Sequence, residues 1–168
     1  MNNSVIIVNV VRFLSLVFLQ VLLLNHINFL GYINPYLYVI FILVYPLDGN
    51  KTLLIFLSFL LGLSIDLFGD TGGIHAASCV AIAYIRPVIL KFSFGVSYQY
   101  NMVKINKAPL AERIMYITLI VLIHHLILFS LEIFSLAHIL LLLKSTLFSS
   151  IFSILLIFCT LLLFGRKN

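Results

Sequence analysis

Apolar runs of about twenty residues follow one another along almost the whole of this chain, and only short polar connections separate them. A helix needs about 20 residues, rising about 1.5 Å each, to cross a hydrocarbon layer about 30 Å thick. The pattern predicts spans near 5–24, 29–47, 53–68, 74–90, 114–134 and 145–164. The second reaches that length only by including Asn34 and Pro35, and its uninterrupted part, Tyr36 to Tyr45, is short. It is therefore expected to be broken, tilted or partly re-entrant. The last run is interrupted by Lys144, which puts its membrane part at Ser145 to Phe164, with Leu136 to Leu143 leading in near the interface.

Composition points the same way. Of the 168 residues, 63% are hydrophobic and only 9% charged, whereas a soluble domain carries about 25% charged residues. So few charges cannot cover so much Leu, Ile, Val and Phe in water; acyl chains remove the need. The expected fold is all-α, a single polytopic transmembrane bundle over 1–168. The leading residues Met1 to Ser4 carry no side-chain charge, and no small-residue cleavage site follows Leu24. The first run is thus expected to stay as a span rather than act as a removed signal. Cys79 and Cys159 lie inside apolar runs without metal or redox spacing, and read as small buried hydrophobes.

The net charge of +5 comes from few basic residues gathered at helix ends. That pattern reports orientation and attraction to anionic headgroups rather than nucleic-acid binding. Lys51 lies between the second and third spans, Lys91, Lys104, Lys107 and Arg113 in the connection 91–113, and Arg166 and Lys167 in the tail. The connections 25–28 and 69–73 have no Lys or Arg. Basic connections alternate with the others, as six crossings with both termini in the cytoplasm of a bacterial inner membrane require. Within 92–112, Tyr98, Tyr100 and Asn101 interleave with basic residues, as suits a loop lying on headgroups.

An ionisable group inside a span costs about 2.5–3.5 kcal/mol on insertion scales, so each needs a reason. Asp66 follows Ser58 and Gly62 at intervals of four, a small and polar stripe on one helix face. It reads as a packing seam whose carboxylate bonds a neighbouring helix, or as a substrate, ion or proton site. Glu132 shares a helix face with His125 and Thr118 at intervals of seven. Lys144 stands at the same outer level, where an ion pair with Glu132 or Asp66 would lower the cost of all three. His124 and His125 point about 100° apart, so they are expected to pack rather than to hold a metal. Asp70 and His75 flank Gly72 and Gly73 in an outer turn, a weak cation signal. Asn9 and Arg12, three residues apart, make a polar strip for headgroups or for a partner's carboxylate. Ala77 with Ala81, and Ser149 with Ser153, are spaced for close helix contact. No nucleophile elbow, phosphate-cradling loop, HExxH or paired carboxylate occurs, so neither an enzyme nor a bound cofactor is expected.

The run Gly62-Leu-Ser-Ile-Asp66-Leu-Phe-Gly-Asp-Thr-Gly-Gly73-Ile-His-Ala76, then a small-residue helix reaching Tyr84, follows Asn34-Pro35-Tyr36 and a short apolar helix ending Tyr45-Pro46-Leu47. This order resembles the rod shape-determining protein family MreD, in length and span number as well as motif. The resemblance implies a non-catalytic scaffold of the cell-elongation (rod) complex, which organises lateral peptidoglycan synthesis and cell shape. It implies binding to MreC, and through it to MreB, RodZ, RodA and its transpeptidase, and a fold similar to the S components of energy-coupling-factor transporters. On that reading Asn9, Arg12 and the Ser58-Gly62-Asp66 seam are the expected seats for a partner's helix. A different class stays open: a small-molecule-binding transporter S component, with Asp66, Asp70, His75 and Glu132 near the outer face.

The six-span topology fixes one outcome. A reporter fused after Lys167 is expected to remain cytoplasmic, and an exported reporter would overturn the alternation.

Overall fold

The computed structural model describes residues 3–47, 49–99 and 108–164. Among them the chain is 83% helical, without strands, and five helices are long and apolar enough to cross a membrane. The long helices are α1 (Asn3–Leu22), α3 (Lys51–Gly69), α4 (Ile74–Gln99), α5 (Leu110–Ile133) and α6 (Ile139–Phe164), and α2 (Ile40–Val44) is short. Asp48, Tyr100, Asn101, Lys104, Lys107 and the tail with Arg166 and Lys167 lie outside the described residues.

The ends of the long helices are set by local chemistry. Asn50 caps α3, its Oδ1 accepting from the N–H groups of Thr52 and Leu53. Pro109 precedes α5, where its missing N–H costs nothing. The expected fourth span stops at Leu90, but α4 continues to Gln99 with a break at Gly95, φ 52°, a value that glycine adopts without steric cost. The connection expected over 91–113 is shortened accordingly. Nor does Lys144 interrupt α6, which runs unbroken from Ile139 with the lysine exposed.

The stretch 29–47, expected to be broken, tilted or partly re-entrant, is broken. It is no membrane-length helix but a tight turn closed by the bridge Phe29–Ile33, an extended stretch, a 3-10 turn at Leu37–Val39, and the five residues of α2. This segment is the centre of the molecule: Tyr38, Val39 and Ile42 are wholly buried. Its course follows from its neighbours. Near its start Gln20 of α1 bonds to Pro35 and Leu37, and further on Phe41 packs on Phe13, ring centroids 5.6 Å apart. It therefore runs antiparallel to α1. Tyr36 packs on His75 at 5.5 Å and Tyr45 meets Arg86, so it runs parallel to α4. Residues 34–36 also follow α6, with Asn34 on Ser149 and Tyr36 on Ser153.

Around this centre, α3 packs on α1 and α4, α4 on α5, and α5 on α6. The side chains of α1 divide accordingly: Asn9, Leu16, Val17, Gln20 and Leu24 are buried, while Ile7, Val10, Leu14, Phe18 and Leu22 are exposed. Intervals of three and four place the first set on one helix face. Exposed Leu and Phe likewise cover the outside of α6, a surface suited to lipid.

The α3–α4 contact is the closest. A Cβ on Gly62 would lie 2.5 Å from the backbone N of Ala76 and collide with its Cα. Only glycine lets the helices approach so closely. The Ser58-Gly62-Asp66 stripe is buried there, which corrects its assignment as a seat for a partner's helix: α4 already occupies it. Ala77, by contrast, is exposed, and the buried small residues in the first three turns of α4 are Ala76, Ser78, Cys79 and Ala83. Gly62→Leu is expected to abolish the monodisperse detergent-solubilised protein, and Gly62→Ala to lower stability by about 1–3 kcal/mol, as overpacking does. Thermal unfolding followed by size-exclusion chromatography reads both, and an unshifted Gly62→Leu would disprove the contact.

Candidate functional site

Three groups of polar side chains inside the bundle complete backbone bonding, two at helix ends and one along the extended start of the central segment. The first is the α3–α4 corner. Asp66 Oδ1 accepts from Thr71 Oγ1 at 2.5 Å and from the His75 N–H at 3.1 Å, and Oδ2 accepts from the Ala76 N–H at 2.8 Å. These amides belong to the first turn of α4, where no intrahelical acceptor exists and the helix dipole favours an anion. Asp66 thus acts as the N-cap of a helix it does not belong to. Asp70 ends α3 at φ 51° with its side chain exposed, and Gly72 and Gly73, φ 66° and 96°, carry the chain into α4. Asp70 and His75, which flank the turn glycines and gave the weak cation signal, lie in different surroundings, Asp70 exposed and His75 buried. His75 lies beside Asp66, its Nδ1 3.4 Å from Oδ1.

The second is the start of the central segment. Gln20, wholly buried, donates through Nε2 to Asn25 Oδ1 and the Pro35 carbonyl, each at 2.9 Å, and accepts the Leu37 N–H through Oε1. From the other side Ser149 Oγ accepts the Asn34 N–H at 3.1 Å, and Ser153 Oγ the Tyr36 N–H at 2.9 Å. The Ser149–Ser153 pair is therefore more than a close-packing seam: it supplies acceptors to non-helical backbone. His125 continues the chain of bonds. Its Nδ1 lies 2.8 Å from the Val121 carbonyl and its Nε2 3.0 Å from Ser153 Oγ. A carbonyl only accepts, so Nδ1 bears the proton and Nε2 accepts from the serine. Tyr36, Tyr38, His75, His124, His125 and Phe129 pack as one group of rings, in which Tyr38 Oη lies 3.1 Å from His124 Nε2.

The third closes the far end of α2. Arg86 of α4, buried, donates to the Tyr45 carbonyl at 2.6 Å and the Leu43 carbonyl at 3.4 Å, and through Nε to Tyr116 Oη at 2.9 Å. Tyr116 donates to the Leu43 carbonyl at 3.1 Å. A cation against the last carbonyls of a helix is favourable twice, as donor and as countercharge to the dipole. Arg86 and Gln20 were missed among the sequence candidates. The signal was their presence in apolar runs that should exclude them, the same test that singled out Asp66.

The other candidates are not brought together. Glu132 and Lys144 are exposed, and neither the Lys144–Glu132 nor the Lys144–Asp66 ion pair forms. Arg12 donates to Asn9 Oδ1 at 3.2 Å, half-buried on the flank of α1. No group of three or more His, Cys, Asp or Glu among the described residues is arranged to hold a metal ion. No family model, curated protein or solved structure matches this chain.

These bonds make the central segment's position depend on side chains. With cysteine placed at buried Ile42 in a Cys159→Ser background, Arg86→Leu is expected to make that site react with a membrane-permeant maleimide at least about tenfold faster, since the buried Tyr45 carbonyl loses its donor and the Leu43 carbonyl keeps only Tyr116. Unchanged labelling would remove the clasp.

Proposed function

We propose that this protein is a non-catalytic scaffold of the membrane, a bundle that closes its own interior and binds the spanning helices of other proteins along its outer faces. The observation that carries this reading is how the intramembrane polar groups are used. Asp66, Gln20, Arg86, His125, Ser149 and Ser153 are engaged in holding the chain's own backbone, and apart from Arg12 and Ser15 on α1 and Lys144 on α6 the faces turned outward on these two helices are apolar. Among such scaffolds the order of motifs favours the MreD family: the Gly62-x-x-x-Asp66 motif, the glycine turn after it and the short segment Tyr36 to Tyr45 are the parts by which the bundle is locked. The proposed place of action is the rod complex of a bacterial inner membrane, with MreC as direct partner and MreB, RodZ, RodA and its transpeptidase as further members.

The proposed topology has six crossings, the second made by the central segment. The proximity of Asn25 to Gly69, an added Cβ at which would lie 3.9 Å from Asn25 Nδ2, supports it. It sets the end of α1 level with the end of α3, so residues between them return across the bundle. Both termini then lie on the side of Lys51, Lys91 and Arg113, which is the cytoplasm by the charge rule.

Co-expressed with its MreC counterpart, the detergent-solubilised protein is expected to co-purify with it in a defined ratio. Absence of co-purification from an intact, monodisperse bundle would refute the rod-complex assignment. A second reading, a small-molecule-binding S component, draws on two buried imidazole atoms beside Tyr38, His75 Nδ1 and His124 Nδ1, that lack hydrogen-bond partners. Thermal stabilisation by a member of a vitamin panel, without MreC binding, would favour it instead.

A further inference from the structure

One face of α1 carries polar groups that are turned outward rather than into the bundle. Arg12 lies five residues beyond Ile7, where the apolar span of α1 begins, a depth of about 8 Å. Its guanidinium donates only to Asn9 Oδ1, at 3.2 Å, and no acid among the described residues pairs with it. Arginine carries five N–H donors, so most of them face outward without an acceptor. One turn deeper, Ser15 is exposed. Ser64, Ser78, Ser130 and Thr160 each return their hydroxyl to the carbonyl four residues back, but Ser15 makes no such bond. On the N-terminal side of Ser15 lie Val8 and Val11, 53% and 57% exposed. Val8, Val11, Arg12 and Ser15 fall on one stripe by helical spacing; apart from Arg12 its side chains are short, so the stripe is shallow until exposed Phe18, one turn beyond Ser15.

We infer that this stripe seats a single transmembrane helix of another protein that carries an Asp or Glu at the depth of Arg12 and a small residue opposite Ser15. Charge complementarity selects the carboxylate, because an unpaired guanidinium in the span is costly and an acid from a second helix offers it two acceptor oxygens. The shallow profile selects a helix, since close packing rather than apolar burial drives association in lipid. A headgroup phosphate would meet Arg12 alone, through the reach of its stem, and would leave Ser15, one turn deeper, without a contact; a helix covers both. The assignment rests on the scaffold reading and adds to it the binding face and the chemistry of the partner.

The experiment uses the full-length protein in phosphatidylcholine vesicles with a donor fluorophore, and a synthetic single-span Leu/Ala helix with an acceptor. The helix bears Asp, Asn or Leu at the depth of Arg12. Energy transfer is expected to show the Asp helix binding at least about tenfold more tightly than the Leu helix, with the preference lost in Arg12→Leu and largely kept in Arg12→Lys. Ser15→Phe should abolish binding by blocking approach while Arg12 remains. Equal binding of the Asp and Leu helices would overturn the proposal. So would binding that survives Ser15→Phe, or an Arg12-dependent retention of phosphatidylglycerol without preference among helices, which would make Arg12 a lipid contact. Circular dichroism and elution volume keep misfolded variants apart from binding defects. The outcome separates from the rod-complex assignment: MreC co-purification that survives Arg12→Leu sinks this face alone, whereas Asp-helix binding without MreC binding sinks that assignment alone.

Discussion

Backbone amides and carbonyls have no water to turn to inside a bilayer, and the central segment 34–45 is the part of this chain that most needs other partners. A long helix satisfies its own backbone; an extended stretch followed by eight residues of 3-10 and α-helix cannot. The rest of the molecule is arranged to supply what is missing. Gln20 and the serines of α6 serve the N–H groups at its start, and Arg86 and Tyr116 serve the carbonyls at its end. The segment thus joins α1, α4, α5 and α6, in a bundle whose long helices otherwise pack in the order α1, α3, α4, α5, α6.

The α3–α4 corner shows the same constraint at a helix terminus. Gly62 brings the two backbones together, and one turn later Asp66 meets the exposed amides of α4. Neither residue would serve without the other. A larger residue at 62 would hold the carboxylate out of reach, and without an acceptor the close approach would bury unsatisfied N–H groups at about 1–3 kcal/mol each. The spacing of four residues in Gly-x-x-x-Asp is the geometry that puts both on one helix face. The Ser58, Thr146 and Ser150 hydroxyls, by contrast, remain without bonds inside the bundle; they stand on helix faces that pack side by side.

Much of the fold was legible in the residues. Five long apolar helices stand where apolar runs of spanning length stood, because in lipid the run of side chains and the self-sufficient backbone call for the same structure. The inward direction of Asp66 was legible as well, from the small residues four and eight positions before it. What misled was treating charge as a local property. Lys144 looked like an interruption, yet a lysine near a helix end extends its stem and leaves the helix intact. Glu132 and Lys144 matched in inferred depth, but depth does not fix azimuth, and they do not meet.

Sequence alone determined that the chain lies in a membrane, how its long helices divide it, and which residues are too polar for their surroundings. Tertiary structure decided what those residues do. Gln20, Arg86, Ser149 and Ser153 are far apart along the chain, and their shared task exists only once α1, α4 and α6 surround a segment too irregular to bond itself. Hydropathy is additive along a sequence and can be summed residue by residue. Satisfaction of a buried backbone is a relation between distant groups, and it appears only when the chain has brought them within hydrogen-bonding distance.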